Sequence, residues 1–400
     1  MRNWQRNLLL ATGSFVFAAI LAEAALRLLW QPGGQQSVIR ADPLYGWALR
    51  AQTHMHSVNT DRGLNYSISV NTLGQRDHER PRNKPEGVRR VLFVGDSVIF
   101  GAGVEFGERC TDRLQTELGP HVDVVNAAVS GWGTDQEFLH LCHEDLALQP
   151  DVVVLGLCLQ NDVLNNMLPH ELFGSAPKPR FVLQDDGLVL LRAAQRVPPT
   201  PIGRVAQLLR HSRLLRYVGR HVRMLHSRPV PPAHRIPAPY YPEDLESDHS
   251  HWAVYRSPYT PRFEAAFRVT EALITALHDS CSARGVPVVL FAFPQKVEID
   301  AQAREDELAY YGYDPSAFDL EAPYLRLRSL AVRLEVPFVY PLEAFETEHR
   351  HQALFFRHDG HPNAAGHAAA ARALSPVLRA ELDQQFDGHH DITARRWRGG

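Results

Sequence analysis

The sequence predicts an α/β fold of three layers, α/β/α, around a central parallel sheet, and two observations predict it. Five short apolar runs rich in β-branched residues are bounded by Gly, Pro or Asp: VLFV (91–94), VDVVNAAV (122–129), DVVVLGLC (151–158), VPVVLFAF (286–293) and VPFVYPL (336–342). Between and after them lie helical patterns near 108–118, 134–147, 262–284, 322–334 and 363–383. Strands that alternate with helices need crossover connections, so the strands run parallel and helices cover both faces.

Composition agrees with a packed chain. Of 400 residues, 44% are hydrophobic and 22% charged, which excludes a disordered, collagen-like or multi-span membrane protein. The net charge of -3 gives no reason to expect a nucleic-acid partner. Cys110, Cys142, Cys158 and Cys281 are too few and scattered for a disulfide scaffold, and they lack the C-x-x-C spacing of a zinc site.

The first element is apolar. Arg2 and Arg6 precede a run without charge from Asn7 to Ala22, and apolar character resumes after Glu23 and Arg27 as far as Trp30. Residues 1–30 therefore read as a signal-anchor or a signal peptide. Apolar residues beyond the small-residue pattern at Ala22–Ala24 favour the uncleaved anchor. The basic flank puts the rest of the chain outside the cytoplasm, periplasmic or extracellular. Residues 31–87 are rich in Gly, Asn, Asp and Arg, and Tyr66–Val70 alternates as a strand does. A β-rich stalk or flap is expected there.

The main domain spans 88–383, with an insertion over 163–260. Within the insertion, 202–226 reads as an amphipathic helix with Arg210, Arg213, Arg216, Arg220 and Arg223 on one face. That face is either a solvated lid surface or a contact for anionic headgroups or polymers. A Pro-rich stretch follows over 229–242. Residues 384–400 read as a frayed, solvated tail, and His389, His390 and Asp391 have no further metal-ligand spacing near them.

Candidate chemistry lies just beyond the strand ends, where ligands bind in open parallel sheets. The first strand runs into Gly95-Asp96-Ser97, a tight turn that would expose a serine. The second leads to Ser130-Gly131-Trp132-Gly133, and the third to Gln160-Asn161-Asp162. The N–H groups of Ser97 and Gly131 and the Asn161 amide could converge on one oxygen, as donors to an oxyanion do. Taken singly, the glycines also fit ordinary turns, and Asn161-Asp162 fits a helix cap. Near the far end, His361 lies on a loop opened into a helix by Pro362-Asn363. Asp359 is near enough to hold its second nitrogen. In a chain with 21 histidines a His-rich loop also arises without function.

Together these patches resemble the SGNH/GDSL hydrolase family over roughly residues 88–380, apart from the insertion. Ser97, Gly131, Asn161 and His361 match its four signature residue types in order. The apolar N-terminus and Val70-Asn71-Thr72-Leu73-Gly74-Gln75-Arg76 look like a membrane-anchored bacterial subgroup. The chain departs from the family pattern twice. Leu159 stands where Gly usually precedes the Asn, and His358 stands where Asp usually lies three residues before the His. Asp359 instead gives a shorter Asp-x-His form, similar to that of polysaccharide O-acetyltransferases of the superfamily.

The resemblance implies acyl transfer through a serine ester. Ser97 would be the nucleophile, His361 the general base and then acid, and Asp359 the group that orients it. The N–H groups of Ser97 and Gly131, with Asn161, would form the oxyanion hole. An ester or glycan substrate is implied, with transfer or hydrolysis of an acyl group such as acetyl, and no metal or organic cofactor. The N-terminal helix would make the membrane a partner, and a transferase would draw on a membrane acyl-donor protein. The two departures leave an alternative, a non-catalytic glycan-binding or scaffold protein that keeps the fold.

Overall fold

The chain begins with an apolar helix, α1 (Asn3–Leu29), followed by two antiparallel hairpins. The first pairs β1 (Ile39–Asp42) with β2 (Gly46–Leu49), and the second pairs β3 (Thr53–Asn59) with β4 (Leu64–Val70). The computed structural model describes residues 3–29, 37–60, 62–172, 176–185, 187–193, 212–215, 217–218, 246 and 248–397. Most of the expected helix over 202–226 and the Pro-rich stretch lie outside the described residues.

The five expected strands form one parallel sheet: β5 (Arg89–Gly95), β6 (Val122–Asn126), β7 (Val152–Leu157), then β10 (Val288–Ala292) and β11 (Phe338–Val339). Between β7 and β10 an antiparallel pair intervenes, β8 (Arg180–Gln184) with β9 (Gly187–Leu191). The sheet order is β11-β10-β7-β5-β6. From β5 the chain moves to β6 on one side, and from β7 it moves to β10 on the other. Neighbouring strands whose connections diverge open a crevice at their carboxyl ends. The geometry thus favours a site after β5 and β7, where Ser97 and Asn161 stand.

Successive side chains of a strand point to opposite faces. Accordingly Val91, Phe93, Val124, Val152, Val154, Val289 and Phe291 belong to one core layer, with Leu114 of α3 (Cys110–Leu118) and Ala370, Leu374 and Leu378 of the last helix. Leu92, Val94, Val125, Val153, Leu155, Val288 and Leu290 face the other layer, with Phe263, Phe267, Ile274 and Leu277. Both faces are covered, as near-continuous apolar strands require. The second expected strand stops at Asn126, but its chain stays in register: Ala127 N donates to Phe93 O at 2.9 Å and Val129 N to Gly95 O at 3.1 Å.

Three regions differ from expectation. The hairpins of 31–87 are part of the main body and not a stalk. Trp132 Nε1 donates to Trp47 O (3.0 Å), Gln136 Nε2 to Tyr45 O (2.7 Å), and Arg76 is wholly buried. The 163–260 segment is not all insertion, because Val163, Leu164, Trp252 and Tyr255 are core residues. The final helix runs Ala364–Trp397, past the expected boundary at 383. Helix α1 belongs to a separate compact unit that also holds residues 212–215. There Glu23 accepts hydrogen bonds from Ser212 Oγ (2.8 Å) and from the N–H groups of Arg213 (3.0 Å) and Leu214 (2.9 Å). Asn3–Leu28 is long and apolar enough to cross a membrane, a test that signal sequences also pass.

Gly95 and Gly156 are paired across β5 and β7, and Ile99 packs over both. A methyl group on Gly156 would press into the Ile99 side chain. Gly156→Ala is therefore expected to destabilise the fold by about 1–3 kcal/mol through overpacking. Urea unfolding measures this, and the added substitution Ile99→Val should return part of the loss.

Candidate active site

The turn after β5 is built on a buried carboxylate. Asp96 caps the short helix α2 (Ser97–Phe100), accepting from Val98 N at 2.9 Å through Oδ1. Its Oδ2 accepts from Asn161 Nδ2 at 2.8 Å and lies 3.3 Å from Ser97 Oγ. One side chain thus ties the end of β5 to the helix Leu159–Met167, which follows β7. The loop beyond α2 is clamped by Arg76, from the 70–76 stretch. It donates to the carbonyls of Ser67 (2.8 Å), Phe100 (2.9 Å), Gly101 (2.5 Å) and Val104 (2.7 Å).

The histidine loop approaches from the far end of the chain. Asn363 Oδ1 accepts from Ala365 N (2.9 Å) and Gly366 N (3.1 Å), which starts the final helix and leaves His361 just before it. His361 Nε2 lies 2.9 Å from Ser97 Oγ. On the ring's other side, Nδ1 bonds Asp359 Oδ1, which also accepts from His361 N at 2.8 Å. Asp359 Oδ2 accepts from Arg62 Nη1 at 2.8 Å. Lys296 Nζ donates to Phe356 O (3.0 Å) and Arg357 O (2.9 Å), holding the start of the loop. The nearby His367 is buried instead, its Nδ1 accepting from Cys110 N at 3.3 Å.

The structure therefore brings Ser97, His361 and Asp359 into one hydrogen-bonded line. Gly131 and Asn161 are half-buried, and Gly131 sits at φ +83°, a left-handed conformation that glycine adopts without strain. An amide nitrogen carries two protons, and the bond to Asp96 uses one of Asn161's. Spacing in the sequence did not reveal Arg62 or Lys296. Each is one of 42 basic residues, and Arg62 lies 297 positions from Asp359.

Electrostatics follows burial and pairing. Burial alone would raise the Asp359 carboxyl. The His361 charge, two hydrogen bonds from His361, and Arg62 outweigh it and hold the group well below the usual carboxylate range. Burial alone would lower His361, but Asp359 and then Asp96 overcome this and raise it above its ordinary 6.5, against Arg62. Burial raises Asp96, opposed by its bonds from Asn161 and Val98 and by the charge of His361.

Asp77, His78 and Asp112 lie close enough together to hold a metal ion. Their carboxylates are already engaged: Asp77 by Arg80 (2.6 Å), and Asp112 by Arg109 (2.5 and 2.7 Å). That donor set serves ion pairing. The side chains of His389, His390 and Asp391 lie outside the described residues.

Comparison with known proteins gives two family matches. The model of the GDSL-like lipase/acylhydrolase family matches residues 93–320. A second model, described as the SGNH hydrolase-like domain of acetyltransferase AlgX, matches residues 251–397. No curated protein matches the chain. Among solved structures, TesA has 15% identity and a TM-score of 0.36, over 73% of this chain and 99% of its own. The acetylxylan esterase Axe2 from Geobacillus stearothermophilus has 15% identity and a TM-score of 0.36, over 72% of this chain and 93% of its own. A lipolytic G-D-S-L family member from Veillonella parvula has 10% identity and a TM-score of 0.37, over 73% and 99%.

The His361–Asp359 pair makes stability depend on pH. A histidine whose folded pKa is raised stabilises the fold fully below about pH 6.5, its unfolded value, and loses that contribution as pH rises through the folded value. Asp359→Asn removes the main source of the shift. It should therefore cost more stability at about pH 5.5 than at about pH 9. Urea midpoints of both proteins at the two pH values test this, and equal costs would show that the pair is not coupled.

Proposed function

Because the chain belongs to the GDSL-like lipase/acylhydrolase family, whose model covers residues 93–320, we propose that it performs serine-dependent ester chemistry with Ser97, His361 and Asp359. The observation that carries this reading is the 2.9 Å contact from Ser97 Oγ to His361 Nε2, with Asp359 on the opposite ring nitrogen. A neutral imidazole that donates Nδ1–H to Asp359 leaves Nε2 as an acceptor, which is what a general base needs.

In this mechanism His361 Nε2 takes the Ser97 proton as Oγ attacks the ester carbonyl. The oxyanion is received by the N–H groups of Ser97 and Gly131 and the second proton of Asn161 Nδ2. Asp359 stabilises the imidazolium and fixes its orientation. As the tetrahedral intermediate collapses, His361 returns the proton to the leaving alcohol, and the acyl group stays on Ser97. His361 then deprotonates the acceptor, which attacks the acyl-serine, and the serine regains its proton. Water as acceptor gives an esterase, and a sugar hydroxyl gives an O-acyltransferase.

We place this chemistry outside the cytoplasm, on a surface glycan, with acetyl as the transferred group. The basic residues before α1 and its length and apolar character support an exported, anchored site. The match of the second family model, described as that of an acetyltransferase, over the segment bearing Asp359 and His361 supports acetyl. A transferase of this kind would take its acetyl group from a membrane acyl-donor protein.

Ser97→Ala should lower the hydrolysis of a p-nitrophenyl acetate by about 10⁴-fold and abolish labelling by a fluorophosphonate. Retained activity would remove Ser97 from the chemistry. Since His361 must be neutral to accept a proton, kcat/KM should fall as pH drops through a value above 6.5. Supplying an acetyl donor with a glycan acceptor, and following acetylated product, separates transfer from hydrolysis.

A further inference from the structure

We infer that Arg62, in the connection between β3 and β4, is a positioning residue that holds Asp359 in the orientation His361 requires. The inference rests on the reading of Ser97, His361 and Asp359 given above, and it extends that machinery into the N-terminal hairpins.

The geometry of Asp359 carries it. Its side chain is fully shielded from solvent, so each carboxylate oxygen needs a donor from the protein. Oδ1 is taken by the backbone N–H and ring Nδ1 of His361, and Oδ2 receives Arg62 Nη1 at 2.8 Å. A carboxylate held by donors on both oxygens cannot rotate without breaking a charge-assisted bond. Were Arg62 absent, Oδ2 would lose that donor, and the carboxylate could turn away from the ring. The short turn to His361 engages Oδ1, and the donor on Oδ2 comes from Arg62 of the hairpin. Arg62 is 19% exposed, so the ion pair is largely shielded from solvent screening.

Arg62 also sets charge at the base. The groups acting on His361 are Asp359 on its own loop, Asp96 from the nucleophile turn and Arg62 from the hairpin. Lys296 faces Asp359 from the helix after β10, and His367 lies in the final helix. Arg62 holds the carboxylate that raises His361, so releasing that carboxylate should move the acid limb of kcat/KM to lower pH, against the smaller opposite effect of the lost Arg62 charge. A residue that merely supports the hairpin would leave that limb in place.

The test uses the full-length chain in detergent with p-nitrophenyl acetate, and compares Arg62→Met, Arg62→Lys, Asp359→Asn and the Met/Asn double variant. Arg62→Met is expected to lower kcat by ~10-fold or more with little change in KM, and to shift the acid limb downward. Arg62→Lys should restore most of kcat and the position of the limb. In the Asp359→Asn background Arg62→Met should cost little more, because its target is already gone. If Arg62→Met fails to fold, Arg62→Gln takes its place: a folded Gln protein with lowered kcat and a shifted limb, both restored by Arg62→Lys, supports the inference, and one with wild-type kcat and limb overturns it. A folded Met protein with wild-type kcat and limb overturns it too, as does a fully additive double variant. The Ser97→Ala control separates the two levels. If that variant stays active the underlying reading fails, whereas an inactive Ser97→Ala beside an unaffected Arg62→Met defeats the positioning role alone.

Discussion

The site depends on one hydrogen bond that joins residues 264 positions apart, Ser97 Oγ to His361 Nε2. Neither partner could hold that distance alone. Ser97 is fixed by the cap that Asp96 places on α2 and by Arg76 behind the following loop. His361 is fixed by the start of the final helix, whose Ala370, Leu374 and Leu378 share a core layer with Leu114 and the sheet. The burial of apolar surface between that helix, α3 and the strands therefore sets a polar distance that small shifts would break.

Beneath the nucleophile turn lies a group of buried acids. Asp135 pairs with Lys178, both side chains fully buried, while Glu137 and Asp162 have carboxylate oxygens without a hydrogen-bond partner. Burial first, and then neighbouring acids, push Glu137 and Asp162 well above the carboxylate range. Protonation removes the charge that burial penalises. Asp96 is the acid in direct contact with Ser97 and Asn161, and burial raises it as well. Asp359 is thus held low by His361 and Arg62, whereas burial pushes Glu137 and Asp162 up.

Much of the fold was legible because the strands of the parallel sheet carry apolar runs that must be covered on both faces. The helices read well for the same reason: Pro261–Ser282 and Ala322–Leu334 carry apolar stripes onto the sheet. The elements that escaped are those whose apolar signal is short or ambiguous. Helix Leu159–Met167 follows β7 with no Gly or Pro to mark a boundary, and Ala301–Tyr311 buries only Leu308. Ser97, Asp359 and His361 could be picked out because strand ends and a Pro-Asn helix start mark where they stand. Arg62 and Lys296 could not, since their role exists only after distant segments meet, and an arginine in a hairpin connection reads as ordinary surface charge.

The two departures from the family pattern are resolved by local geometry. Leu159 replaces a glycine, yet its backbone is not in the left-handed region, and its side chain is 1% exposed within the core layer that also holds Val163 and Trp252. No conformation there requires glycine, so the substitution trades freedom for packing and leaves Asn161 free to reach Asp96. The shortened Asp-x-His spacing has a different compensation. With one residue between partners, Asp359 Oδ1 can accept both the backbone and the ring N–H of His361, a local turn that a longer spacing would not close in the same way. What the short turn cannot do is engage the second oxygen, and that contact comes from the hairpin, through Arg62. The departure in the acid and the packing of the N-terminal hairpins against the main body are thus two parts of one arrangement.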